Sequence, residues 1–424
     1  MDKKPSFYFL AAPLFLVIFI DGMGMGLVIP MLNALIVDTQ SGFFTHKTSP
    51  AMHNLMYGLV IASYMFCWFF GSSILGDLSD RIGRKKSLLI CMFGAVLSYL
   101  ISAIAIPLHS ISLLLVGRVI GGLTAGSQPI AQAAIVDLSE PEHIARNLGF
   151  ILLALSLGFI VGPLCGGVLS NAALVSWFSF ATPFYYAAIF SMINVILLWW
   201  LFKDADQVQR PKKAFNPYHA IEIFISAFKH IEVRNISILY FVFIFGWSSY
   251  YSFVAMFLLD YYNFSPMRIS LFMAVMGIGF GIGNGILVEF FTGRFSLKHN
   301  FACSCLLSAV LIFLMVMIKQ AWVSWVVIIP PAQCVAIAFA SALTLFSKQV
   351  SRERQGWVMG ITGSIMAFVW AVNSVVVGLL ASWNTQLPIF IAAMSLLLVT
   401  GMTFMLIKQT SSVPSLASIS TNSQ

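Results

Sequence analysis

Twelve long apolar runs, separated by short polar stretches, constrain this chain of 424 residues more than any other feature. They lie near residues 8–36, 55–76, 88–107, 111–136, 147–170, 182–202, 235–259, 267–291, 300–318, 323–346, 356–381 and 387–407. A helix crosses a hydrocarbon core about 30 Å thick with roughly 20 apolar residues, so each run is long enough to span a bilayer. Strands of a membrane barrel would alternate apolar and polar residues over ~10 positions, and no such alternation occurs. The expected fold is an all-α membrane protein of twelve transmembrane helices. Composition agrees: 59% of residues are hydrophobic and 9% charged, with a mean hydropathy of +0.92, far above a soluble domain.

Lys and Arg set the orientation, because short basic loops resist translocation. With the N-terminus in the cytoplasm, all but four of the 23 basic residues fall on cytoplasmic ends and loops. The exceptions are Lys47, Arg268 and Lys319 in outer loops and Arg118 inside a helix. Both termini are then cytoplasmic. This bias accounts for a pI near 9.2, so the basic balance is no sign of nucleic-acid binding. All six cysteines fall within apolar runs and read as small hydrophobes, implying neither disulfides nor a metal site. His46 and His53 stand too isolated in an outer loop to suggest metal. The first run is too long for a signal-peptide core and is expected to remain as helix 1.

The longest polar interruption, residues 203–234, divides the chain into bundles at 1–202 and 235–408, followed by a polar tail at 409–424 that reads as disordered. Within the linker, residues 218–229 suit either a short interfacial helix, with Ile221, Phe224, Ile225 and Phe228 on one face, or a charged tether. Two six-helix halves suggest an internal duplication. "GDLSDRIGRKK" (76–86) follows helix 2, and "GILVEFFTGRF" (285–295), a decayed copy with Glu289 and Arg294, follows helix 8.

"GDLSDRIGRKK" resembles the loop signature of the major facilitator superfamily, matching at Gly76, Leu78, Asp80, Arg81, Gly83, Arg84 and Lys85. Gly76 would allow close helix approach and Gly83 a tight turn. The resemblance implies a conformational latch in which Asp137, at the end of helix 4, pairs with Arg84; a plain topogenic charge cluster is the alternative. "GFILLALSLGFIVGPLCGG" (149–167) is similar to the helix-5 signature of the superfamily's proton-coupled drug antiporters. Its Gly149, Gly158, Gly162 and Gly166 lie within a limited arc of a helix and make a smooth groove, while Pro163 removes a backbone donor and Gly167 adds a further small residue. The resemblance implies that this groove lies between the halves.

"LLLVGRVIGG" (113–122) buries Arg118, which matches the family's proton-transfer arginine, although Gly121 stands where Gln is usual. "FIDGMGMGLVIPML" (19–32) looks like helix 1 of the tetracycline-type exporters and places Asp21 near mid-membrane. If Asp21 nears Arg118 in one state and leaves it in another, its proton affinity changes with conformation, which is the minimum chemistry of proton coupling. A permanent ion pair is the structural alternative. Candidate substrate contacts are Gln128, Gln132, Trp247, Tyr250, Asn284, Gln333 and Asn373, since small-molecule sites combine aromatics with a few amides. Each of these could instead anchor an interface or bind a neighbouring helix.

The resemblance implies a monomeric secondary transporter in a bacterial inner membrane. It would exchange protons for a small amphipathic drug or metabolite by alternating access between its halves, with partners limited to substrate, protons and lipid. Uptake or export of a siderophore or other organic anion attracted by Arg118 is a second reading, and a non-transporting receptor or scaffold a third. No phosphate-binding loop appears, so a proton gradient rather than a nucleotide or other cofactor is the expected energy source, and no enzymatic role is expected.

Overall fold

A computed structural model describes residues 7–38, 41–44, 48–204, 218–318, 320–351 and 354–411. Residues 205–217 of the linker, the tail from 412, and Lys47, His46 and Lys319 lie outside the described residues. The first half comprises α1 (Leu10–Val37), α2 (Pro50–Ile82), α3 (Arg84–Ala105), α4 (Ile111–Leu138), α5 (Arg146–Leu169) and α6 (Thr182–Leu201). The second comprises α7 (Ile231–Tyr262), α8 (Pro266–Arg294), α9 (Leu297–Met317), α10 (Ala321–Lys348), α11 (Gln355–Ala381) and α12 (Leu387–Lys408). The protein is therefore an integral membrane protein of twelve spans. An even number of spans brings the start of α1 and the end of α12 to one side, here the terminal side; the other is the far side.

Local sequence explains where helices begin and break. α2 and α8, equivalent in the two halves, both start with a Ser-Pro pair on the far side. Proline at the first helical position lacks only a donor that would be unsatisfied anyway. The preceding Ser49 and Ser265 accept from the amides of Met52 and Arg268. α2 starts earlier than the apolar run suggested, which removes His53 from the loop; it is buried, with Nδ1 2.6 Å from the Ile36 carbonyl. α4 and α10, also equivalents, are each interrupted. α4 consists of Ile111–Leu123 and Ser127–Leu138, and α10 of Ala321–Val327 and Ile329–Lys348. Pro129 and the pair Pro330–Pro331 sit in the first turn of the second segments, where proline is tolerated.

Lipid tails supply little hydrophobic drive for helix association, so close packing must hold the bundle together. Glycines provide it. A Cβ on Gly158 would stand 2.6 Å from the Met23 amide nitrogen, and one on Gly162 2.9 Å from that of Leu27. Gly26 receives the ring of Pro163 in the same contact. The α5 groove therefore seats α1 of its own half, which corrects the expectation that it faces the other half. The opposite side of α5 meets α8, where a Cβ on Gly277 would stand 2.8 Å from the Phe159 carbonyl and one on Gly167 2.6 Å from Ser270 Cβ. Gly166 touches Met31 more loosely, and Gly149 faces open space.

The symmetry-related interface is α2 against α11. There a Cβ on Gly58 would stand 2.5 Å from the Ser374 carbonyl, with Gly378 Cα at 3.3 Å. On the far side Asn54 donates to the Ala381 carbonyl at 3.1 Å and Tyr57 to the Ser252 carbonyl at 2.5 Å. These are the hydrogen bonds made between the halves among the described residues.

On the terminal side the linker forms a helix, His219–Lys229, lying across α2, α7 and α11. Phe224 packs 4.4 Å from Phe368 of α11 and 6.1 Å from Phe69 of α2, centroid to centroid. Its packed face is Ala220, Ile221, Ile223, Phe224, Ala227 and Phe228, while Ile225 is exposed. Ile221, Phe224 and Phe228 of the expected face pack and Ile225 does not; the small Ala220 and Ala227 extend the contact against protein rather than lipid.

The α5 contacts predict a contrast. Replacing Gly158 with Leu should overpack the α1 contact at a cost of about 1–3 kcal/mol or more and lower the melting temperature in detergent. Gly149→Leu, in open space, should leave it unchanged. Equal melting temperatures would contradict the packing described here.

Candidate functional site

One cavity lies among α1, α2, α3 and α4, and both Asp21 and Arg118 line it. The two charges do not touch. Asp21 is held from α4, whose interruption at Thr124–Gly126 brings Ser127 to the start of the second segment. The buried Ser127 hydroxyl lies 2.8 and 3.0 Å from the two carboxylate oxygens of Asp21. Thr124 closes the first segment by donating to the Ile120 carbonyl at 2.8 Å. An irregular backbone at this depth is tolerated because it lines a cavity.

Arg118 is 3% exposed. Its Nη2 donates to Ser102 Oγ at 3.3 Å, and its guanidinium lies 5.6 Å from the centroid of Tyr64 and 5.9 Å from that of Phe184. Its buried Nε has no acceptor. An arginine at the membrane centre costs about 2.5–3.5 kcal/mol on insertion scales, and a desolvated ring contact returns about 0.5–2 kcal/mol. Rings and one hydroxyl thus hold the charge without neutralising it. Ser102 donates its own proton to the Ser98 carbonyl at 2.7 Å, leaving its oxygen free to accept.

Glycines again set this geometry. A Cβ on Gly117 would stand 2.7 Å from Ser102 Oγ, and one on Gly121 2.5 Å from Ser98 Oγ and 3.2 Å from the Tyr64 ring. Gly121, where the family signature carries Gln, is therefore a packing requirement here. Gly24 makes room for the Tyr99 hydroxyl, while Gly22 and Gly26, on the other face of α1, meet α5.

The terminal-side loop is compact. Arg84 reaches Asp80 (3.0 Å), Asp137 (3.4 Å) and Ser79 Oγ (2.7 Å), tying the start of α3 to the ends of α2 and α4. Gly83 has φ +96°, and a Cβ there would stand 2.6 Å from Asp204 Oδ2. Asp204, just beyond α6, accepts from the Lys85 amide at 2.8 Å. Gly76 faces open space, so it is not the close-contact point expected of it. Arg81 is half-buried beside this cluster. In the second half Arg294 lies over Phe290 (3.9 Å), and an Arg354–Glu232 pair at 2.9 Å joins the starts of α11 and α7.

None of the seven candidate substrate residues lines the cavity. Asn373 donates to Ser249 Oγ (2.6 Å) and the Phe245 carbonyl (3.1 Å), joining α11 to α7. Trp247 packs on Tyr250 and Phe280, and the Tyr250 hydroxyl faces Met315 on α9. Asn284 and Gln333 are half-buried on the adjoining α8 and α10, and Gln128 and Gln132 half-buried on α4. Tyr64, Tyr99, Ser98 and Ser127, which do line the cavity, were not among the expected site residues; the sequence signal for the last is Gly126 and Pro129, which mark the break that turns Ser127 toward Asp21.

The family model described as "Major Facilitator Superfamily" matches residues 14–374. The chain belongs to this superfamily. Among its relatives, the tetracycline resistance protein, class C, of Escherichia coli is 26% identical over 377 residues, 86% of this chain and 89% of that protein. The quinolone resistance protein NorA of Staphylococcus aureus (strain COL) is 26% identical over 391 residues, 88% and 90% of the two chains. The crystal structure of a D-xylose-proton symporter shares the fold with a TM-score of 0.74 at 16% identity, covering 94% of this chain and 97% of that one. Members of the major facilitator superfamily move small molecules, and the chain is a membrane transporter rather than an enzyme.

The loop predicts a second contrast. Gly83→Ala should be destabilising by about 1–3 kcal/mol, since it meets both an unfavourable φ and the Asp204 carboxylate. Gly76→Ala should be neutral or slightly stabilising. Thermal unfolding of the two purified variants checks this, and an undisturbed Gly83→Ala protein would refute the loop geometry.

Proposed function

We propose that this transporter exports a small amphipathic compound in exchange for protons, by alternating access between its two halves. The observation that carries this reading is that Asp21 shares a cavity with Arg118 yet rests on Ser127. A carboxylate that exchanges a hydroxyl partner for a guanidinium as the protein moves must alter its hold on a proton. The resistance proteins named above support the direction, as does the glycine surface of α5. Positive charge on the terminal side favours placing that side in the cytoplasm. The far-side contacts of Asn54 and Tyr57 would then close the outer face, leaving a state ready to load from inside.

The test is transport in proteoliposomes carrying an imposed pH gradient, with tetracycline and a fluorescent quinolone as probes. The intact protein should move a probe against the proton flux, and Asp21→Asn should reduce this at least tenfold while leaving the melting temperature within a few degrees. Probe and protons moving in the same direction would replace exchange with co-transport. Full gradient-driven movement by the Asp21→Asn protein would remove Asp21 from the coupling altogether.

A further inference from the structure

We infer that the cavity takes a dipolar organic molecule, one carrying an anionic and a cationic group on a single apolar body. This rests on reading the cavity of the first half as the substrate site. The cavity presents two formal charges of opposite sign that are kept apart. Asp21 is turned to Ser127. Arg118 has one long hydrogen bond, to Ser102, and a buried Nε with no acceptor. The two poles are carried by different segments of α4: Arg118 lies on the first and Ser127, which holds Asp21, begins the second, beyond the interruption at Thr124–Gly126. Side chains lean toward the start of their helix, so Arg118 points away from Ser127. The rest of the wall mixes apolar Val28, Ile29, Val60 and Met65 with Ser98, Thr124 and the titratable but neutral Tyr64, Tyr99 and Cys91, so Asp21 and Arg118 carry its formal charges.

Charge complementarity selects among ligands. A purely cationic molecule would satisfy Asp21 and leave Arg118 both unsatisfied and repelled. A purely anionic one would satisfy Arg118 and oppose Asp21. A neutral body would exclude water from both charges and compensate neither. A molecule with both groups meets the two poles at once, its anionic end beside Tyr64 and Arg118 and its cationic end beside Asp21 and Ser127.

The sign of coupling follows. The cationic end and a proton compete for the same carboxylate, so substrate binds when Asp21 is ionised and is displaced when Asp21 is protonated. Competition of this kind yields exchange. An anionic substrate alone would draw a proton in with it, which is co-transport.

The test measures binding to the purified full-length protein in detergent, by titration calorimetry and without any gradient. Four compounds share one aromatic body: 2-naphthylalanine carries both charges, its N-acetyl derivative only the carboxylate, its amide only the ammonium, and its N-acetyl amide neither. The doubly charged compound should bind at least about tenfold more tightly than either singly charged one. Arg118→Gln should erase its advantage over the amide, and Asp21→Asn its advantage over the N-acetyl acid. Arg118→Lys and Asp21→Glu, which keep the charges, should retain the order. An amide or an N-acetyl acid that binds the wild-type protein as tightly as the parent overturns the inference, as does a flat series or no binding by any member. Loss of proton exchange in liposomes with this order intact would end the transport reading alone. A flat order with exchange intact would end only this one.

Discussion

Hydrocarbon offers no hydrogen bonds, so every polar group within a span must find its partner inside the protein. That requirement acts most strongly on Asp21 and Arg118, and much of the first half can be understood as its consequence. Arg118 needs rings and a hydroxyl around it, which demands that α2 and α3 come close to α4. Gly117 and Gly121 are where they do so. Asp21 needs a donor at its own depth, and an unbroken α4 would spend its backbone amides on itself. The interruption at Thr124–Gly126 brings Ser127 to a helix start beside the carboxylate, and the cavity makes an irregular backbone tolerable there.

The same economy of side chains shapes the junction between the halves. A protein whose halves rock against each other needs contacts that are close yet free of interlocking side chains. At α5–α8 and at α2–α11 this is met by backbone lying on backbone, through Gly277 in one case and Gly58 with Gly378 in the other. Among the described residues, the hydrogen bonds between the halves are those of Asn54 and Tyr57 on the far side. The linker helix adds an apolar contact on the opposite side, where Phe224 lies between Phe69 and Phe368. The same helix is tied to α11 by hydrogen bonds from Trp357 to Ser226 and from Ser364 to the Ala220 carbonyl, so its aromatic contact with α2 is the one that can slide or part.

Much of this was legible in the sequence because a bilayer imposes a length and a polarity that few residues can disguise. The twelve spans appear as apolar runs, and they differ from the helices mainly where polar ends continue beyond the membrane, as α2 does to Ile82 and α7 from Ile231. The charged and glycine-rich motifs were visible for a related reason: charge inside a span and glycine at helical spacing are both unusual enough to need explaining. Partners were not visible. Tyr64, Tyr99 and Ser127 are ordinary residues in ordinary spans, and they acquire meaning only when four helices converge. The converse has the same cause. Asn373 and Trp247 are conspicuous in a sequence, but they are consumed in joining helices of the second half. The facing direction of α5 was likewise undetermined, because a smooth arc of glycines suits whichever helix lies opposite.

The two charged centres of the first half are joined by a single rigid piece. Ser127, the first residue of the second α4 segment, holds Asp21, and Asp137, near its end, holds Arg84. Between them runs a helix of 12 residues, about 17 Å from end to end, with its joint at Thr124–Gly126. A helix transmits tilt because its internal hydrogen bonds do not stretch, so if the second α4 segment tilts when Asp21 leaves Ser127, as the proposed exchange requires, Asp137 swings relative to Arg84. Arg84 is shared with Asp80 on α2 and Ser79, which means that a displaced Asp137 leaves the guanidinium with partners on one helix instead of two. Under the proposed exchange, a change of partner inside the membrane and a loosening of the terminal-side loop would be two ends of one movement, carried by the helix itself. The segment can bear this role because it contains no glycine after its start and only one proline, placed in the first turn where it leaves the helix intact.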